Sequence, residues 1–318
     1  MDVNHIASLG IVFPGQGSQS VGMLSKLADE FPDIVTGTFA EASRALGYDL
    51  WELVRQGPGE ALNATERTQP AMLATGVAVW RVWCDKNGPR PAYLAGHSLG
   101  EYTALVAAGV IEFGTAIKLV AERGRCMQQA VPEGHGAMAA IMGLDDETLR
   151  TVCALSGNDE VVSCANYNAP GQTVIAGHRA AVERAIAAAG RAGAKRAILL
   201  PVSVPSHCIL MKPAADTFAA TLAQCEFVLP SIPVLHNVDV ASHPDVAAIK
   251  DALVRQLYSP VRWVDLTRKL LGEGIHTIVE CGPGKVLAGL CKRVDKSLNC
   301  LPVFDGETLR TAMTEIDK

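Results

Sequence analysis

Residues 96–100 read Gly-His-Ser-Leu-Gly, a G-x-S-x-G pattern. Between a strand and a helix, that spacing makes a sharp turn with the serine hydroxyl at its tip, and the small flanking residues let neighbouring backbone approach closely. The Leu99 amide, opening the following helix, would point at an oxyanion and gain from the helix dipole. The bland alternative is a tight glycine turn with an idle hydroxyl. Context favours the nucleophile: an apolar run at 93–95 precedes the turn and a helical segment at 101–108 follows it. A neutral serine needs a base. Eight histidines supply candidates, at 5, 97, 135, 178, 207, 236, 243 and 276. His97 adjoins Ser98, but successive side chains around a sharp turn diverge. His207 closes Pro201-Val-Ser-Val-Pro-Ser-His207, where two prolines restrict the loop. The residues by themselves leave His207, His236 and His276 open.

A second chemical signal is a charge in an apolar stripe. Along a helix at 113–130, positions 116, 119, 120, 123 and 127 share one face and read Ala, Leu, Val, Arg and Met. Lys118, Glu122, Arg125 and Gln129 form the opposite, solvated face. An unpaired Arg123 would be costly there, so it should meet an anion: a protein carboxylate, or a substrate carboxylate held bidentately. The loop Phe13-Pro-Gly-Gln-Gly-Ser-Gln19 lacks the lysine and spacing of a phosphate loop and the third glycine of a dinucleotide fingerprint. Donating a backbone amide to a serine oxyanion is the more economical use; a turn without chemistry is the other. Gly282-Pro-Gly-Lys285 is a similar loop after the apolar strand at 278–279. No Asp/Glu spacing suited to glycosidase or metal chemistry is recognisable.

The elements that must hold these residues alternate. Strands are expected at 10–13 and 92–95, with helices at 31–46, 68–86 (Pro70 in its first turn), 101–108 and 113–130. That alternation indicates α/β architecture with a mostly parallel sheet. Composition shifts near Val131-Pro-Glu-Gly134. Strand 137–142, helix 145–155, strands 160–166 and 172–176, helix 179–189 and strand 194–199 then follow in β-α-β-β-α-β order, the split pattern of a ferredoxin-like unit. The expectation is a large α/β domain over 1–130 and 205–318 interrupted by a small one over 131–204, with α/β patterning resuming to about 304. Serine and histidine lie on either side of the insertion, so a site between the two parts is expected.

The 318 residues are 49% apolar and 19% charged, a globular composition. A net charge of −5 argues against general binding to nucleic acid or anionic membranes. No apolar run approaches the ~18 residues of a membrane span. The amino terminus, with Asp2, Asn4 and His5, lacks signal-peptide character. Nine scattered cysteines without a C-x-x-C pair fit reduced thiols, and together these features place the chain in the cytoplasm.

Seven blocks occur in order along nearly the whole chain: FPGQGSQ (13–19), TQPAMLA (68–74), GHSLGEY (96–102), NYNAPGQ (166–172), PVSVPSHC (201–208), QLYSPVRW (256–263) and ECGPGKVL (280–287). Together they closely resemble the bacterial malonyl-CoA:acyl carrier protein transacylases of type II fatty acid synthesis. The resemblance implies a hydrolase-like α/β core with an inserted ferredoxin-like (βαββαβ) subdomain. It implies Ser98 as nucleophile and His207 as base, oriented by the Gln256 main-chain carbonyl instead of a carboxylate. It places Arg123 on the malonyl carboxylate and the Gln16 and Leu99 amides in the oxyanion hole. No resident cofactor is implied: malonyl-CoA is substrate, and the phosphopantetheine belongs to the partner, an acidic acyl carrier protein. The enzyme is expected to stand alone and to be monomeric. Lys195-Arg196 and Lys292-Arg293 are candidate docking patches, with an ordinary solvated surface as the alternative. Three rivals remain open: a serine thioesterase or esterase with the same turn, a non-catalytic carrier-docking module, and an acyltransferase serving a polyketide pathway.

Overall fold

The computed structural model describes residues 5–202 and 204–316. Ser203, inside the proline-bracketed stretch before His207, lies outside the described residues, as do 1–4 and 317–318. Nine strands among the described residues form two sheets: β1 (His5–Phe13), β2 (Arg90–Gly96), β3 (Gly136–Met142), β4 (Val162–Ala169), β5 (Gln172–His178), β6 (Arg196–Leu199), β7 (Val234–Leu235), β8 (Thr277–Cys281) and β9 (Asn299–Val303). The first sheet runs β7-β2-β1-β8-β9 and is parallel throughout. Strands buried on both faces need continuous apolar runs, and Ile11, Val12, Phe13, Leu94, Ala95, Ile278 and Val279 are all fully buried. Ile11 and Phe13 face a core shared with helices Pro32–Leu46, Thr65–Asp85 and Phe113–Ala130. Val12 and Ile278 face the other side, against Trp263, Leu266, Leu270, Leu287 and Leu290 of helices Trp263–Gly272 and Val286–Val294.

The antiparallel sheet runs β4-β5-β3-β6, with helices Asp146–Gly157 and Arg179–Arg191 packed on it through Leu149, Val152, Val182 and Ala185. This is the ferredoxin-like order, the first strand lying inside the sheet between the third and the last. The fold is thus a hydrolase-like α/β core carrying a ferredoxin-like βαββαβ unit. Val261 stitches the two together: its amide donates to the Ala165 carbonyl of β4, and its carbonyl accepts from the Tyr167 amide, both at 2.9 Å.

One helix departs from expectation. It begins at Thr65 instead of 68, so Pro70 is its sixth residue and lies beyond the first turn. The Ala64 carbonyl takes the amides of both Arg67 and Thr68 at 2.8 Å, which starts the helix early; Pro70 then only removes the amide that would have reached Glu66. Among the described residues no helix is long and apolar enough to cross a membrane, no His/Cys/Asp/Glu group could hold a metal ion, and all nine cysteines are free thiols.

Candidate active site

In parallel sheets, reactive loops gather at the carboxyl ends of the strands. Here the loops after β1 and β2 lock together. A Cβ on Gly100 would sit 2.0 Å from the Phe13 carbonyl oxygen, and one on Gly15 would sit 2.4 Å from that of His97. Only glycine permits either approach, so the FPGQG loop is held against the serine turn. Ser98 occupies the left-handed region with φ 52°, a costly conformation for a non-glycine residue. Asn237 braces it: its Nδ2 donates to the Gly96 carbonyl and its Oδ1 accepts from the Ser98 amide, each at 2.7 Å. The Gln16 and Leu99 amides donate to no other group among the described residues, and Leu99 lies at the start of helix Gly100–Ala107. Both remain free for an incoming oxygen.

His207 also has positive φ, 63°. Its Nε2 lies 2.7 Å from Ser98 Oγ and its Nδ1 lies 2.8 Å from the Gln256 carbonyl. A carbonyl only accepts, so Nδ1 carries the proton and Nε2 presents its lone pair to the serine hydroxyl. The ring is 3% exposed. Burial first, and then the neighbouring Arg123 charge, hold its pKa down to about 3. His207 is therefore neutral across the physiological range. Unfolded, it titrates near 6.5. Below that pH the unfolded chain binds a proton the native state refuses, so this residue makes stability fall as pH drops from 6.5 towards 3. His207→Gln is expected to flatten the fall; urea melts at pH 7, 6 and 5 measure it, and parallel curves for both proteins would refute the shift.

The other two histidines left open lie elsewhere. His236 is buried and bonds Glu101, while His276 is exposed at the amino end of β8, the opposite end from the reactive loops. His97 does diverge from Ser98: its Nε2 lies 2.8 Å from Asn168 Oδ1 on β4, linking the two sheets. Cys208, next to His207, is buried, and burial pushes its thiol up to about 11.

Arg123 lies on the buried face of its helix with Ala116, Leu119, Val120 and Met127, and is 1% exposed. Among the described residues it has no carboxylate partner. Its guanidinium donates to Gln69 Oε1 and Gln256 Oε1, both at 2.9 Å, and approaches Ser98 Oγ at 3.4 Å, over the Tyr102 ring at 5.4 Å. Its Nε has no acceptor among the described residues. A buried cation held by neutral oxygens beside a serine can take an anion. Gln69, Glu101, Asn237 and the Gln256 side chain were not legible as site residues. One signal existed for Glu101: it is the only charge in the otherwise uncharged helix Gly100–Ala107.

What this geometry can do is acyl transfer through a serine ester, with a preference for acyl groups that carry a negative charge. That defines the class as a serine acyltransferase built on a hydrolase-like α/β core. Residues 11–307 match the family model described as the acyl transferase domain. The malonyl CoA-acyl carrier protein transacylase of Salmonella typhimurium is 56% identical over 310 residues, spanning 98% of this chain and all of the relative. The acyl carrier protein S-malonyltransferase structure from Vibrio cholerae is 59% identical with a TM-score of 0.93, covering 96% of this chain and 99% of that one. A malonyl-transacylase solved in complex with a type II PKS acyl-carrier protein is 55% identical with a TM-score of 0.96, covering 97% and 99%. The chain belongs to the malonyl-CoA:acyl carrier protein transacylase family.

Proposed function

We propose that this enzyme moves a malonyl group from malonyl-CoA to the phosphopantetheine thiol of an acyl carrier protein, through a malonyl ester on Ser98. The observation that carries this reading is the approach of an unpaired, buried Arg123 to within 3.4 Å of the same Ser98 Oγ that lies 2.7 Å from His207. His207 Nε2 accepts the hydroxyl proton as Oγ attacks the thioester carbonyl. The oxyanion falls to the Gln16 and Leu99 amides, each donor worth about 2.7–4 kcal/mol. As the intermediate collapses, the C–S bond breaks and the proton on His207 passes to the coenzyme A sulfur. The carrier's thiol then gives its proton to His207 and attacks the ester, and that proton returns to Ser98 Oγ as the acyl–serine bond breaks. Ping-pong kinetics follow. The Gln256 carbonyl orients His207 in place of a carboxylate and stabilises the imidazolium at each step.

No resident cofactor enters this scheme: coenzyme A comes with the substrate and the phosphopantetheine with the carrier. One chain supplies every group named, so a monomer suffices. A cytoplasmic enzyme of fatty acid synthesis is the reading the sequence blocks support; the relative bound to a type II PKS carrier gives the polyketide alternative a specific observation. For the acidic carrier, Lys195 and Arg196 are the freer patch, both exposed at the start of β6 and without an ion pair among the described residues. Lys292 is tied to the Leu298 carbonyl and Arg293 to Gln172. The division into 1–130 with 205–318 and 131–204 belongs to the same proposal, supported by the separate core of the antiparallel sheet.

Purified enzyme given malonyl-CoA with and without carrier protein tests the reaction. Rapid malonyl-carrier formation with slow malonate release is expected. Fast free-malonate release with no acylated carrier would mean a thioesterase.

A further inference from the structure

Charge around Arg123 is compensated at one remove. Glu101 is wholly buried at the start of helix Gly100–Ala107. Its Oε2 accepts from the Asn237 amide and from Gln256 Nε2, both at 2.9 Å, and its Oε1 lies 2.7 Å from His236 Nδ1. Gln256 Nε2 also donates to the Ser98 carbonyl at 3.1 Å, while Gln256 Oε1 accepts from Arg123. Both ends of that amide are thereby fixed. Its donor end faces two acceptors and its acceptor end faces a cation, and a flip would set like against like at all three contacts. The other groups around the guanidinium, Gln69, Ser98, the Tyr102 ring and His207, which burial and the Arg123 charge hold neutral, carry no charge. The anion that answers Arg123 is therefore Glu101, acting through an amide that cannot turn.

We infer that Glu101 is a positioning residue that keeps Arg123 partly compensated, so that the acyl carboxylate binds as a second, exchangeable anion. This rests on Arg123 receiving the malonyl carboxylate. With Glu101 ionised, Arg123 and Glu101 together are neutral before substrate binds and carry one negative charge afterwards. Without it, the free site holds a lone buried cation that a carboxylate would neutralise. Glu101 thus weakens the grip on the malonyl group in substrate, acyl-enzyme and product alike. Tighter uniform binding lowers KM without speeding chemistry, and it slows departure of the malonylated carrier.

Glu101→Gln separates charge from shape. The glutamine oxygen can take the Asn237 and Gln256 donors while its NH2 faces His236, whose ring can adopt the other tautomer. The probe is sodium malonate as an inhibitor of malonyl transfer, at matched ionic strength. The malonate Ki and the KM for malonyl-CoA are expected to fall roughly tenfold or more, with a lower kcat and a smaller change in acetyl-CoA transfer. An unchanged or raised Ki, or equal losses with both thioesters, would overturn the inference; a merely structural role predicts the latter. Should Glu101→Gln fail to fold, Gln256→Met cuts the bridge with Glu101 in place. The same fall in Ki, smaller in size, is expected there, and its absence overturns the inference equally. If instead Arg123→Ala still binds malonate as wild type does, the assignment of Arg123 itself is what fails.

Discussion

Ser98→Ala is expected to lower malonyl transfer by at least about 10⁴-fold, because in the proposed reaction Ser98 and His207 act as a unit and removing either forfeits the covalent route. The substitution deletes one oxygen and leaves the turn intact, since the Asn237 braces bind the Ser98 amide and the Gly96 carbonyl and not the hydroxyl. Folding stability should be little changed. A hydroxylamine-labile malonyl adduct is expected on wild type given malonyl-CoA and should be absent from the variant, as read by intact-mass spectrometry. An adduct persisting on the variant would move the nucleophile elsewhere, and residual transfer above about 1% of wild type would rule out an obligatory serine ester. A non-catalytic docking module predicts no adduct on either protein, so the same measurement separates that rival.

The turn could be anticipated from five residues because part of its constraint is local. Gly96 is required by Gly100 and Glu101 within the turn itself, whereas the need for Gly100 comes from Phe13 at the far-off end of β1, whose loop docks there. Arg123 was legible for a similar reason: helical periodicity puts position 123 among Leu119, Val120 and Met127 whatever lies opposite. What lies opposite was not legible. Gln69, Asn237 and Gln256 come from three segments that only the folded sheet brings together; the Asn237–Ser98 and Gln256–Arg123 bonds span 139 and 133 positions. No spacing rule reaches across such distances. The choice of base shows the same limit, since His207, His236 and His276 differ in nothing local that decides among them. Topology separates them, placing His207 against Ser98, His276 at the opposite end of a parallel strand and His236 on Glu101. The ferredoxin-like order was readable because each of its strands and helices has its own period and its own turn signals. The start of helix Thr65–Asp85 was not, because the Ala64 carbonyl that takes two amides leaves no compositional trace.

Two strained residues face each other across the site, Ser98 at φ 52° and His207 at φ 63°. Each is over-determined by its surroundings: Ser98 by Asn237, and His207 by its amide on the Leu257 carbonyl at 3.0 Å as well as by Gln256. The strain is therefore held by segments 236–237 and 256–257, which also carry the partners of Glu101. Ser98, His207 and Arg123 are thus all tied to these two segments, through Asn237 and Gln256. The antiparallel sheet contributes Asn168, the partner of His97.

Arg123→Ala should divide the substrates. Truncating one partner of a desolvated, hydrogen-bonded charge pair costs about 2–5 kcal/mol, a factor of roughly 30 to 5,000 in kcat/KM for malonyl-CoA. Acetyl-CoA presents no carboxylate, so its transfer should change by less than about tenfold, with a rise favoured by loss of the Arg123 charge that adds to burial in depressing His207 basicity. The variant should not lose stability in proportion, since it removes a buried cation along with its hydrogen bonds to Gln69 and Gln256. Arg123→Lys keeps the charge but not the fork: a single ammonium cannot hold both glutamine oxygens and a bidentate carboxylate, so malonyl transfer should fall to an intermediate level. Side-by-side kcat/KM values for malonyl- and acetyl-CoA on the three proteins decide the matter. Equal losses with both thioesters would make Arg123 a structural residue, whereas a ratio that collapses from strong malonyl preference towards unity, with Lys between Arg and Ala, is the signature of a guanidinium that selects its substrate by charge and geometry together.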